Sequence, residues 1–175
     1  MAEQAFDGVI ARHHAEIFRF LRRLCRGAGE ADDLSQETFL RAFRAWEALP
    51  ADANVRAWLY RIAANLARNH FRSERRRRVA HATVRVTERE AASGEPEGEA
   101  LANEARRLVE ARLAALPDRQ RLAFVMRRIQ ELEYEVIAES LECSVETARA
   151  HVFQAMKKIR QGLSGHLPVA GARAR

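Results

Sequence analysis

Tyr134-Glu-Val-Ile-Ala-Glu-Ser-Leu-Glu-Cys-Ser-Val-Glu-Thr-Ala-Arg-Ala-His-Val-Phe-Gln-Ala-Met-Lys-Lys-Ile159 reads as two helices joined by a tight turn. Ile137, Ala138 and Leu141 share one face of the first, and Val145, Ala148, Val152, Ala155 and Ile159 share one face of the second. The turn runs through Cys143, and Ser144 has the side chain of an N-cap for the second helix. The same pattern would serve a helical hairpin in a bundle. A second helix with a polar leading end and Lys157, Lys158 and Arg160 near its far end also suits the major groove, where leading side chains meet base edges and basic ones meet phosphates.

Working toward the N-terminus, Leu101 to Leu116 keeps helical spacing until Pro117 breaks it, and Leu122, Phe124, Val125, Met126 and Ile129 mark another helix beyond. Before these lies a change of composition. Ala92-Ser-Gly-Glu-Pro-Glu-Gly-Glu-Ala100 has no large apolar side chain, and Glu88, Glu90, Glu95, Glu97 and Glu99 outnumber Arg85 and Arg89. This predicts a flexible acidic linker over 79–102. Ahead of it, Ile10, Ile17, Phe18, Leu21, Leu24 and Cys25 follow helical spacing until Gly27 and Gly29. A second helix is expected from Asp32 or Asp33 to Pro50, and a third through Trp58, Leu59, Ile62, Leu66 and Phe71. No strand-like alternation is long enough for a sheet. The expectation is an all-α chain of two small helical domains, 5–78 and 103–165, with a tail over 166–175.

At 175 residues the chain is long enough for two small cores, and its formal charge of +6 is clustered, which favours a polyanionic partner. Cys25 and Cys143 are far apart in apolar helical contexts, so both read as core thiols of a reducing, cytoplasmic compartment. No segment has the uncharged length of a membrane span. Histidines 13, 14, 70, 81, 151 and 166 are scattered without HExxH spacing, and no phosphate loop or nucleophile elbow is present. The chain therefore reads as a binding protein, not an enzyme, with no metal and no cofactor.

On the third helix Arg61, Asn65, Arg68, Asn69 and Arg72 recur at three- and four-residue spacing, opposite Trp58 and Ile62. The arginines suit a phosphate backbone, and an asparagine amide carries the donor and acceptor that reading a base edge requires. A solvated polar face is the plainer alternative. Tyr60, His70 and Phe71 interleave with the stripe and read as packing residues, with stacking on bases as the alternative.

Four motifs in order, Asp33-Leu-Ser-Gln-Glu-Thr-Phe-Leu-Arg-Ala-Phe43, Trp58-Leu-Tyr-Arg-Ile-Ala-Ala-Asn65, Leu116-Pro-Asp-Arg-Gln-Arg-Leu122 and Tyr134 to Ser144, resemble the bacterial extracytoplasmic-function (ECF) sigma factors over nearly the whole chain. The resemblance implies a region 2 domain, a region 4 domain, and promoter recognition in company with core RNA polymerase. It places Asp33, Gln36, Glu37, Phe39 and Phe43 against the β′ clamp helices; Asp33, Gln36, Glu37 and Leu40 share a stripe, and burial in their own domain is the alternative for the two aromatics. It gives the −10 element to the loop Leu49 to Asn54, including Asp52 and Asn54, with Asn65 beneath the loop, and to Arg61, Arg68, Asn69, Arg72, Arg75 and Arg76. It gives the −35 element to Ser144, Glu146, Thr147, Arg149, Ala150, His151, Gln154, Lys157 and Lys158, and part of the second domain to the β flap. Relatives commonly carry Ser, Arg and Arg where Ala150, His151 and Gln154 stand, and an aromatic followed by a base at Leu49 and Pro50. An anti-sigma factor is a further implied partner. A stand-alone helix-turn-helix regulator is the alternative, although no dimerising coiled coil is visible.

Overall fold

The computed structural model describes residues 2–25, 27–82 and 97–163. They form seven α-helices: α1 (Ala2–Leu24), α2 (Ala28–Ala45), α3 (Val55–Ala82), α4 (Glu97–Ala114), α5 (Asp118–Arg128), α6 (Tyr134–Ser140) and α7 (Val145–Leu163). A short 3-10 turn, Trp46–Ala48, follows α2. There is no strand among the described residues, and the two helical domains are those expected.

Several boundaries moved. The second helix starts at Ala28, not at Asp32 or Asp33, because Glu30 reaches back so that its Oε2 accepts the Gly27 N–H at 3.3 Å. That bond satisfies one of the donors a helix start leaves open. Gly29 is therefore inside α2 rather than in a break. The third helix starts after Asn54, whose Oδ1 accepts the Ala57 N–H at 3.1 Å. It continues to Ala82, and α4 begins at Glu97, so both ends of the segment read as linker are helical. The remainder, 83–96, and the tail beyond 163 lie outside the described residues.

In the first module α1, α2 and α3 pack around Phe6, Ile17, Phe20, Leu21, Leu59 and Tyr60, all buried. Each large apolar side chain so buried contributes about 1.5–3 kcal/mol. A polar knot fixes the start of α3 against α1: Glu16 Oε2 accepts Arg56 Nη2 at 2.7 Å and Nε at 2.9 Å, and Glu16 Oε1 lies 2.6 Å from His13 Nδ1. Burial opposes ionisation of Glu16, but the bonds from Arg56 and His13 win and hold its carboxyl below the ordinary range. In the second module α5 packs on α7 over Leu122, Val125, Met126, Ile137 and Val152.

The sequence gives no sign that the two modules touch, yet α6 packs on α3 and α5 on α1 and α3. Small residues make the crossing close. Ser140 Oγ donates to Val136 O at 2.7 Å within its own helix and lies 3.2 Å from Ala57 O across the contact, with both residues buried. From α5, Arg121 donates to Leu24 O, and its guanidinium stands 4.2 Å over the Phe71 ring. Cys25 is buried as expected. Cys143 is only half-buried, at the edge of the core.

Candidate nucleic-acid interface

The stripe on α3 is a surface. Asn65, Asn69, Arg72 and Arg76 are exposed, whereas Leu66, Ala67 and Phe71 between them are buried. Arg68 Nη1 donates to Asn65 Oδ1 at 3.3 Å, which orients the amide without covering it. Asn69, Arg72, Arg75, Arg76, Val79 and Ala80 line a shallow depression on the outer half of the helix. Tyr60 and Phe71 belong to the core, and burial raises the Tyr60 pKa, so neither ring is available to stack on a base.

Two members of the stripe are engaged elsewhere. Arg75 Nη2 bonds Asp118 Oδ1 of α5 at 2.8 Å, and Arg61 Nη1 lies 3.8 Å from Glu142 Oε1 in the turn after α6. The second module thus sets carboxylates against arginines where phosphates were expected. In the loop before α3, Asp52 and Asn54 are exposed. Asn54 spends its side-chain oxygen on the helix cap. Asn65 lies eleven residues after Asn54, about three turns along α3.

On α2, Asp33 and Gln36 are exposed, and Glu37 Oε1 accepts Arg41 Nε at 2.6 Å. Phe39 requires correction as an expected surface anchor. It is 8% exposed and packs into its own module beside His14, the ring centroids 5.6 Å apart. The apolar part of this face is instead Leu40, 50% exposed, and Phe43, 48% exposed and edge-on to Phe6 at 5.4 Å. Helical spacing alone places Leu40 on the stripe of Asp33, Gln36 and Glu37.

Along α7 the leading residues stand clear of the core. Ser144 Oγ accepts the Thr147 N–H at 3.1 Å, so Ser144 is the N-cap. The turn before it is held by the Cys143 N–H bonded to Ala138 O at 3.0 Å, with Glu142 at φ 50, where glycine is the usual residue. Glu146, Thr147, Arg149, Ala150, Gln154, Lys157 and Lys158 are exposed. His151 is half-buried, and its burial, with Arg119 nearby, lowers its pKa. Phe153, 63% exposed, was not among the expected contacts. It lies three and four residues from Ala150 and Arg149, so the signal was in the spacing.

Two helical modules, one with an exposed asparagine and arginine strip and one with an exposed capped helix after a tight turn, define a promoter-recognition protein of the sigma-70 type. Residues 9–77 match Sigma-70 region 2 and residues 106–159 match Sigma-70, region 4. The chain is 32% identical to the RNA polymerase sigma-H factor of Pseudomonas aeruginosa over 169 residues, covering 92% of this chain and 87% of that protein. It is 30% identical to the ECF RNA polymerase sigma-E factor of Escherichia coli over 164 residues, covering 90% and 85%. The chain belongs to the ECF family of RNA polymerase sigma factors. Its fold is similar to that of CnrH, solved in complex with the cytosolic domain of CnrY, with TM-score 0.70 and 24% identity over 94% of this chain and 91% of that one. It is also similar to a sigma factor from Bartonella quintana solved with the anti-sigma factor NepR, with TM-score 0.63 and 21% identity over 94% and 99%. No helix among the described residues is long and apolar enough to cross a membrane.

Proposed function

We propose that the protein binds core RNA polymerase in the cytoplasm and directs it to a class of promoters, as a binding factor without catalysis of its own. The face Asp33, Gln36, Glu37, Leu40 and Phe43 docks on the β′ clamp helices, its acids and amide meeting bases while the two apolar side chains anchor. Asn65, Arg68, Asn69, Arg72 and Arg76, with Asp52 and Asn54 at the helix start, hold the non-template strand of the −10 element. Extruding a base costs a few kcal/mol, offset by strand contacts along α3. The α7 face from Ser144 to Lys158 reads the −35 element as duplex, with the β flap receiving apolar surface of the same module.

The observation that carries the reading is the uncovered strip of alternating amide and guanidinium on α3, within the stretch matching region 2. The α3 and α6 packing supports a second element of it. With Arg61 and Arg75 tied to Glu142 and Asp118, the modules must part before the whole strip reaches DNA. Control by an anti-sigma factor that favours a state with the modules together is part of this proposal; a sigma factor of similar fold from Bartonella quintana was solved with the anti-sigma factor NepR. The test is in vitro transcription with core enzyme and mapped start sites. Initiation at new, discrete sites is expected; tight specific DNA binding without polymerase, and no change in start sites with it, refutes the proposal.

A further inference from the structure

Cys25 directly follows α1, Glu30 lies in the first turn of α2 and His70 in the middle of α3, and their donor atoms all lie within 4.8 Å of one another. None belongs to the polymerase or DNA faces described above. We propose that they form a binding site for a thiophilic divalent cation of the zinc class, clipping together the three helices of the first module. No spacing motif announces such a site, because the three donors are separated by 5 and 40 residues along the chain.

The donor set fits. Zinc takes thiolate sulfur at about 2.3 Å, imidazole nitrogen at about 2.0–2.1 Å and carboxylate oxygen at about 2.0–2.2 Å, so donors around a tetrahedral ion stand roughly 3.3–3.8 Å apart. His70 Nε2 and Glu30 Oε2 are already 3.6 Å apart. The Gly27 N–H holds the same carboxylate oxygen from behind at 3.3 Å, the kind of outer contact that orients a ligating group. Cys25 is 8% exposed, and His70 and Glu30 are half-buried, so the donors are partly sheltered from water. Cys25 and His70 also line the cleft between α1, α3 and the α4–α5 pair, which provides an entry path and room for water as fourth ligand.

Charge is compatible. Burial, with Glu30 beside it, pushes the Cys25 thiol up to about 11, so without a cation the sulfur keeps its proton. On binding, the S–H bond breaks, the sulfur–metal bond forms and the proton leaves to solvent. Thiolate, carboxylate and neutral imidazole then balance a dication, so the loaded site carries no net charge beside Arg121 and Arg22.

The test uses the full chain without an affinity tag, stripped with chelator and titrated with Zn²⁺ by calorimetry and with Co²⁺ by absorbance. Expected are one ion per chain, a thiolate-to-cobalt charge-transfer band in the near ultraviolet, and a Tm raised by about 5–10 °C at an ion concentration a hundredfold above Kd. Cys25→Ser abolishes the band, and His70→Gln lowers affinity at least about tenfold. Circular dichroism verifies that each variant remains helical; should Cys25→Ser unfold, His70→Gln and Glu30→Gln carry the comparison. Absence of binding to the native chain overturns the proposal. So does an affinity that survives these substitutions, which would place the ion on other histidines.

Discussion

Asp118→Asn isolates the contact between Arg75 of the α3 strip and the second module. The Asp118 carboxylate bonds Arg75 at 2.8 Å and is only 22% exposed, which places it toward the upper end of the range for surface pairs, about 1 kcal/mol. The companion pair, Arg61 with Glu142 at 3.8 Å, has side chains 41% and 62% exposed and belongs near the bottom, about 0.2 kcal/mol. Asparagine keeps the size of the side chain and removes the charge. If polymerase binds only the parted modules, its apparent affinity scales with the open fraction. Losing about 1 kcal/mol from the closed state therefore tightens core binding by up to about fivefold. The assay is competition for core enzyme against a labelled sigma factor, run as a double-mutant cycle with Arg75→Ala. Coupling near 1 kcal/mol is expected at low salt, shrinking as salt rises. Unchanged affinity in Asp118→Asn, or a cycle with no coupling, refutes the reasoning that these charges keep the modules together.

Asn65→Ala should reduce open-complex formation, read by permanganate reactivity, much more than core affinity, because its amide is exposed and accepts a 3.3 Å bond from the neighbouring Arg68; equal loss of both contradicts its assignment. Replacing Gln36 and Glu37 together by Ala should weaken core association while stability changes by about 0.5 kcal/mol or less, since Glu37 contributes only an exposed pair with Arg41; unaltered competition for core removes this face from docking. Glu16→Gln should cost about 1.5–3 kcal/mol at pH 7 by denaturant melts, through the lost charge-assisted bonds to Arg56. The folded pKa of Glu16 is lowered, so its stabilisation is complete above the unfolded value near 4.5 and fades as pH falls through the folded one. The two proteins should thus converge in acid, and a gap independent of pH would show that the charge is not responsible.

What could be read from the chain alone was whatever is local. Helical periodicity marked every helix, Ser144 announced its cap, and the asparagine and arginine spacing on α3 put those side chains on one face before any fold was known. Even the stripe with Leu40 in it was legible, because three- and four-residue spacing fixes a face regardless of what covers it. Phe39 and Phe43 illustrate the limit. Both are aromatic residues of one helix, four apart, yet one is 8% exposed and the other 48%, a difference that tertiary packing decides.

The sequence by itself determined an all-helical chain with two modules of a sigma factor and the polar and apolar faces of their helices, since amphipathic spacing and caps are properties of neighbouring residues. Tertiary structure alone decided that Ala57 and Ser140 let α3 and α6 meet, that Asp118 and Glu142 stand on the arginines of the strip, and that Cys25, Glu30 and His70 converge. Those relations join residues as far apart as 83 positions in the chain. Whether such distant side chains touch depends on helix crossings set by the whole core, which no short window of sequence encodes.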